Sequence, residues 1–230
     1  MRGIEKMKRF YSELSYVCGL VFLAAGASMM TKADFGLSMV IAPAYLIHLK
    51  LSETWAFVTF GMAEYMFQAL LLLVMLPIVR RFKATYLLSF LTAVLYGFVL
   101  DGFIAVWSLL GEIGIAVRII FYVVGLFFTS LGVSFMFHTY LSAEVYELFV
   151  KELSQKYGLN ISRCKTVYDC ISCVVAVIMS FCFFGMWHFE GIGWGTAVCA
   201  LLNGWLIGRI SKFLDSRFEF ADRFSLRKYF

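Results

Sequence analysis

The sequence has little charge and few helix-breaking residues. Only 15% of its residues are charged and two are proline, whereas 62% are hydrophobic and the mean hydropathy is +0.84. A soluble domain of 230 residues carries more charge and hides less apolar surface than this. No polar stretch is long enough to form a separate soluble domain. The chain is therefore expected to be a single membrane domain, residues 1–230, whose spans are helices.

The sequence also lacks the patterns of common enzymes. It contains no H-E-x-x-H, G-x-S-x-G, Walker or Rossmann motif, so we expect no catalytic residue, metal site or cofactor. Its six cysteines lie in or beside apolar runs and do not form the framework of a secreted disulfide domain. The net charge of +5 comes from basic residues in short segments between apolar runs, which does not indicate a nucleic-acid partner.

What the sequence does contain is six apolar runs, each long enough to cross a bilayer. They lie at about 15–31, 54–79, 84–108, 113–137, 164–187 and 192–211. Basic residues are concentrated in the N-terminal segment, in the links after the second and fourth runs, and in the tail. Because such residues favour the cytoplasmic side, the sequence predicts a multi-pass membrane protein with both termini cytoplasmic.

Two parts of the chain resemble each other. Residues 19–30 and 125–136 read GLVFLAAGASMM and GLFFTSLGVSFM, and half of their positions are identical at an offset of 106. A second match, at an offset of 107, aligns the third run with the sixth. Each copy then has three spans, and an odd number inverts the second copy relative to the first. The predicted fold is all-α, with two inverted three-helix repeats at about 15–108 and 113–211.

The segments outside the six runs differ in character. Residues 141–157 are amphipathic and predict a helix lying in the cytoplasmic interface. Residues 36–50 are almost wholly apolar, include Pro43 and are too short to span, so this segment is predicted either to re-enter the outer leaflet or to lie flat on it. The tail, 212–230, has one apolar face among alternating charges and predicts an amphipathic helix on the cytoplasmic surface.

Two short motifs resemble a known family. The pattern A-D-x-G-x-S at residues 33–38 resembles the turn after the first helix of YczE/YitT-like bacterial integral membrane proteins, and so does G-I-G-x-G-T at 191–196. The resemblance covers most of the chain, although Met39 stands where many relatives have proline. It implies a small bacterial inner-membrane protein and brings no catalytic residues. The glycines at 191–196 predict close backbone packing or an unwound helix end.

Polar residues inside the apolar runs are the candidates for a functional site, because a charge in hydrocarbon costs roughly 3 kcal/mol on insertion scales. Glu64 lies within the second run, and Gln68 follows one helical turn later on the same face. This pair offers a titratable acceptor and an amide to a solute or coupling ion, although a structural hydrogen bond between helices would use the same groups. The other candidates are Lys32, Asp34, Asp169 and Asn203.

Three functions compete at this point. The first is a transporter or channel for a small solute or ion, with its site at the repeat interface near Glu64. The alternative is a membrane scaffold or accessory protein that acts through the 141–157 helix and the basic tail. A membrane enzyme is the weakest hypothesis, because no nucleophile, base or metal set converges. The bilayer is the expected partner, and a small bundle of this kind is compatible with a homodimer.

Overall fold

The computed structural model describes residues 8–223 apart from 81, 84, 142–143, 160 and 186–190. Within these residues the chain forms eight helices and two short strands. The helices are α1 (Ser12–Ala33), α2 (Ala42–Ser52), α3 (Phe60–Val79), α4 (Thr85–Ser108), α5 (Ile115–Phe137), α6 (Val145–Tyr157), α7 (Ile161–Phe184) and α8 (Trp194–Arg217). The strands are β1 (Lys8–Tyr11) and β2 (Phe218–Ala221).

Six of the helices are long and apolar enough to cross a membrane, namely α1, α3, α4, α5, α7 and α8. Their outward faces carry large apolar side chains that are mostly exposed, such as Leu73, Phe98 and Leu201. Exposed apolar surface of this extent is stable against lipid and not against water. The prediction of an all-α membrane protein with six spans is therefore confirmed.

Local chemistry moves one helix boundary away from its predicted position. The second span begins at Phe60 and not near residue 54, because Thr59 caps it: the Thr59 hydroxyl accepts the Met62 N–H at 3.1 Å. Asp101 of α4 fixes the same corner by accepting the Thr59 hydroxyl at 2.5 Å and the Gly61 N–H at 2.8 Å. The cap and its carboxylate partner therefore hold the first turn of α3 against α4.

The C-terminal end differs from the predicted tail helix. Helix α8 continues to Arg217, and the chain then forms β2, which pairs in parallel with β1. Side chains alternate along a strand, so Phe218 and Phe220 share a face, and their rings lie 5.5 and 5.7 Å from the ring of Phe10. The prediction of a continuous helix over 212–230 is thus wrong for this strand, and its last seven residues lie outside the described residues.

The centre of the bundle is the crossing of α1 and α5. Gly19 faces Gly132 and Gly26 faces Gly125, so residue numbers rise along one helix as they fall along the other, and the two helices are antiparallel. A Cβ added to Gly26 would lie 2.5 Å from the backbone nitrogen of Thr129. Only small residues permit backbones to approach this closely. Helix α4 packs on the far side of α1, and α8 packs on α5.

The two glycine-containing motifs singled out in the sequence contact each other. The Leu37 N–H donates to the Gly191 carbonyl at 3.0 Å, and the Gly195 N–H donates to the Phe35 carbonyl at 2.8 Å. Gly36 has a φ of +111°, and a Cβ there would lie 2.5 Å from the hydroxyl of Thr196. These glycines therefore serve close packing between the turn after α1 and the start of α8.

The two short helices both lie between α3 and α7. In α2, Ala42 and Leu46 are buried and form one apolar cluster with Ala176 of α7. This burial among helices favours the re-entrant alternative for residues 36–50 over a helix lying flat on the membrane.

Helix α6 forms where an amphipathic helix was predicted, and protein covers part of its apolar face. Amphipathic residues do form a helix here, but Val145 and Tyr146, in its first turn, are 0% and 1% exposed and pack against protein. The pattern predicted lipid as the partner of the apolar face because periodicity reveals that a face is covered and not what covers it.

The glycine crossing yields a prediction about stability. Replacing Gly26 with alanine should separate α1 from α5 and lower the melting temperature in detergent, because overpacking costs about 1–3 kcal/mol. Gly102, in the exposed part of α4, has no atom within 4 Å of an added Cβ. The Gly102→Ala control should leave the melting temperature unchanged or raise it. Equal melting temperatures for the two variants would contradict the close crossing.

Candidate functional site

Glu64 and Gln68 are fully buried in the first half of α3, each 0% exposed. Residues four apart lie on the same face of a helix, so both side chains point the same way into the bundle. The close approach of α3 to α4 sets their position, since a Cβ on Gly97 would lie 2.8 Å from the Gly61 carbonyl. The two predicted site residues therefore do form one buried polar patch.

The start of α6 supplies the partners of this patch. The Tyr146 hydroxyl donates to Glu64 Oε1 at 2.8 Å. The Gln68 amide donates through Nε2 to Glu144 Oε2 at 3.2 Å, and its Oε1 accepts the Val145 N–H at 3.0 Å. Gln68 thus connects two carboxyl groups that come from different parts of the chain. We call Glu64, Gln68, Glu144 and Tyr146 the carboxyl cluster.

Each carboxyl of the cluster keeps one oxygen without a hydrogen bond. Glu64 Oε2 and Glu144 Oε1 are buried, and neither has a partner among the residues that the structure describes. Glu144 is only 3% exposed, which makes both acids unusual for a protein interior. Unsatisfied buried polar atoms are costly, and they indicate strain or a function.

Electrostatics at the cluster favour neutral acids. Burial raises the pKa of Glu144 well above its usual range, and the neighbouring carboxyls of Glu147 and Glu64 raise it further. The hydrogen bond from Gln68 and the charge of Lys165 act in the opposite direction and are the smaller effects. Glu144 therefore keeps its proton to a higher pH than a glutamate in water does.

A small cavity of about 10 Å³ adjoins Glu144 and Glu147, with Leu23, Val133 and Met136 as its other walls. This volume is close to the smallest that holds one water molecule. The space beside the cluster thus fits one water molecule or an ion of similar size.

The other end of α6 is attached to the end of α3. Lys83, just after α3, lies 2.6 Å from Glu152 of α6, and the Lys156 ammonium donates to the Ile78 carbonyl. A cavity of about 290 Å³ lies between these groups, with Val79 on its wall. Helix α6 therefore runs alongside α3 from the carboxyl cluster to the end of that helix, over about 20 Å for its 13 residues.

The remaining candidates from the sequence lie outside the cluster. Lys32 donates to the Gly111 carbonyl at 2.6 Å, and Asp34 pairs with Arg118 at 3.0 Å. Both contacts tie the end of α1 to neighbouring loops and helices, and thus anchor the fold. The structure does not bring these two residues to Glu64.

Asp169 and Asn203 also have other partners. Asp169 lies 3.1 Å from Lys165, one turn earlier in α7, and this pair is close enough to the acids of α6 to affect them electrostatically. Asn203 Oδ1 accepts the Ser130 hydroxyl at 2.8 Å and joins α8 to α5. Asp169 is therefore a neighbour of the cluster, and Asn203 is a packing contact.

Two cluster residues, Glu144 and Tyr146, were missed by the sequence reasoning. Helical periodicity placed Glu144 on the solvent side of the predicted amphipathic helix. In the structure Glu144 stands at the N-cap position, before the periodic part begins, where the chain enters the bundle. The one local signal was an acid and a tyrosine two positions apart at the start of a helix, which is too common to indicate a site.

Comparison with known proteins gives a family without an assigned activity. No curated protein and no solved structure gives a significant match to this chain. Residues 10–212 match the sequence profile of DUF6198, described as a family of unknown function, and this range includes all eight helices except the last turns of α8. The chain therefore belongs to the DUF6198 family.

Proposed function

We propose that this protein is a transporter of a small solute or ion, with its site at the carboxyl cluster. The observation that carries the proposal is the pair of buried acids with unsatisfied oxygens between α3 and α6. Ionisable groups inside membrane bundles are costly and typically mark a pathway for a solute, ion or proton. A purely structural glutamate would be expected to have both oxygens satisfied.

The inverted repeat is part of this proposal, and the contacts of α1 and α5 support it. Under the offset of 106, Gly19 corresponds to Gly125 and Gly132 to Gly26. Applying this correspondence to the contact between Gly19 and Gly132 gives a contact between Gly125 and Gly26. Both contacts are present in the structure. A two-fold axis in the membrane plane would produce this exchange.

The packing of whole helices supports the same axis. If α1 to α4 correspond in order to α5 to α8, the contact of α1 with α4 matches that of α5 with α8. In the same way, the contact of α2 with α3 matches that of α6 with α7, and the contact of α2 with α7 matches that of α6 with α3. The two short helices then enter from opposite faces of the membrane, as the broken helices of many transporters do.

Helix α6 is the element that we propose to move. It forms one wall of the carboxyl cluster, and its far end is held by a partly exposed ion pair and a lysine-to-carbonyl hydrogen bond. An ion pair with one exposed partner contributes about 1 kcal/mol or less. Movement of α6 therefore has to separate mainly the apolar cluster that it shares with α3. That cluster comprises Val145, Leu148 and Phe149 of α6 and Leu72, Met75 and Val79 of α3. Withdrawal of α6 would expose Glu64 and Gln68 to one side of the membrane, which is one half of an alternating-access cycle.

Orientation and location complete the proposal. The pairing of β1 with β2 brings both ends of the described chain together, as an even number of spans requires. The basic links then favour cytoplasmic termini, and the bacterial inner membrane is the location that the YczE/YitT resemblance implies. Membership of a YczE/YitT-like group and homodimer formation remain predictions. The scaffold alternative is weakened, since the 141–157 helix buries its first turn within the bundle.

The proposal predicts an effect of Glu64→Gln on uptake. In proteoliposomes under a pH gradient, wild-type protein should accumulate at least one member of a panel of labelled inorganic cations, amines and amino acids. Glu64→Gln, which keeps the shape and removes the titratable proton, should abolish pH-dependent uptake. The exposed Glu112 provides the control, and Glu112→Gln should transport normally.

Two outcomes would contradict this. Unchanged uptake by Glu64→Gln would remove Glu64 from the mechanism. Failure of the folded wild-type protein to move any member of the panel would count against transport itself.

A second prediction tests the inversion. Glu53 and Tyr157 are exposed; Glu53 follows α2, and Tyr157 is the last residue of α6. Single cysteines at these positions, in a background without the six native cysteines, should react with a membrane-impermeant maleimide from opposite sides. Glu53→Cys should be labelled in intact spheroplasts, and Tyr157→Cys only after permeabilisation. Labelling of both from the same side would disprove the inverted repeat.

A further inference from the structure

The carboxyl cluster has more acceptor atoms than donors. Tyr146 donates its hydroxyl to Glu64 and Gln68 donates to Glu144, which leaves Glu64 Oε2 and Glu144 Oε1 without a donor among the described residues. Both side chains are at least 97% buried, so bulk water does not reach these atoms. In such a place an oxygen is satisfied by a proton on the acid itself or by a bound cation.

The surroundings of the cluster are also rich in acids. Electrostatic neighbours of Glu64 and Glu144 come from four helices; they are Tyr16 of α1, Tyr96 of α4, Glu147 and Tyr146 of α6, and Lys165 and Tyr168 of α7. Asp169 of α7 acts in turn on Glu147. Lys165 supplies positive charge, and it lies 3.1 Å from Asp169. One shared lysine does not neutralise Glu64 and Glu144 together, so at least one of these acids must hold a proton when the cluster is closed.

We propose that the carboxyl cluster binds a monovalent cation of about water size, such as Na⁺ or K⁺, in exchange for one proton. The inference rests on the proposed function, because it names the ion that this transport site takes. Size follows from the cavity of about 10 Å³ beside Glu144. Divalent cations are disfavoured, since a divalent ion that replaced one proton would leave an extra positive charge buried in the bundle.

The exchange conserves charge. On entry of the cation, one O–H bond of the carboxyl pair breaks, and its proton leaves to the solvent. The resulting carboxylate then balances the positive charge of the cation, and the second carboxyl keeps its proton. The net charge of the cluster is the same before and after, so neither state leaves an extra charge buried in the bundle.

The site is divided between two elements that can separate. Glu64 and Gln68 belong to the long helix α3, whereas Glu144 and Tyr146 stand at the start of α6. A cation bound to both acids would hold α6 against α3, and two protons would hold it less firmly. Exchange of ion for proton would thereby alter the position of the element proposed to move.

The experiment measures proton release in detergent solution, where no transport occurs. Purified protein in weakly buffered choline chloride at pH 8 receives NaCl or KCl, and a pH-indicator dye reports released protons. We expect saturable release of about one proton per protein for at least one of the two salts. Further choline chloride should release none. The apparent dissociation constant should fall about tenfold for each unit that the pH rises.

Variants locate the release. Glu64→Gln and Glu144→Gln should each abolish it, and Glu112→Gln should not. Size-exclusion chromatography establishes that each variant is folded and monodisperse.

A milder variant keeps the test informative if the glutamine variants do not fold. Tyr146→Phe removes the hydroxyl that stabilises ionised Glu64 but keeps both acids. It should still release about one proton, with a dissociation constant about tenfold higher, because hydrogen bonds to charged groups contribute about this factor.

Three results would overturn the inference. They are no release with NaCl or KCl from folded wild-type protein, release that persists in both glutamine variants, and release by CaCl₂ or MgCl₂ alone. Failure here is distinct from failure of transport. Uptake of another solute without proton release would support the transporter proposal and contradict the cation proposal. Proton release without any uptake would support the cation site and count against transport.

Discussion

The close antiparallel contact of α1 and α5 is the constraint on which the other helices depend. Gly19, Gly26, Gly125 and Gly132 allow the two backbones to meet, and lipid provides no hydrophobic force that would replace this packing. With these two helices joined, α4 packs on α1 and α8 packs on α5. The remaining space on the two flanks is filled by α3 and α7, with a short helix between them on each side.

The carboxyl cluster, in contrast, is energetically unfavourable for packing. Each acid loses its hydration on burial, and one hydrogen bond, from Tyr146 to Glu64 or from Gln68 to Glu144, replaces only part of it. A leucine at position 64 would pack without that penalty, and removing a buried polar group together with its partners is often neutral for stability. That a glutamate stands there, with Gln68 on its own helix bonded to a second glutamate from elsewhere in the chain, is better explained by exchange of a proton or ion than by stability.

The sequence was informative where the signal was local. Six apolar runs gave six helices, and an acid inside one of them marked Glu64 together with Gln68. The partners that each segment contacts in the folded chain were harder to predict. The amphipathic pattern of α6 does not distinguish lipid from protein, and the β1–β2 pairing joins residues about 210 positions apart. Lys32 and Asp34 were plausible from composition alone, yet their partners, Gly111 and Arg118, lie in links and helix ends that periodicity does not position.

The two short helices differ in a way that bears on mechanism. Under the proposed symmetry they occupy equivalent places, yet the buried part of α2 is apolar, with Leu46 against Ala176. Helix α6 instead brings a carboxyl and a hydroxyl to α3. Apolar contact within the bundle has no polar partner for an ion to replace. The α3–α6 contact contains an apolar cluster too, but it adds a set of polar groups that an ion can bind. Access controlled by ion or proton is therefore expected on the α6 side, and the α2 side would open, if it does, by a separate rearrangement of apolar packing.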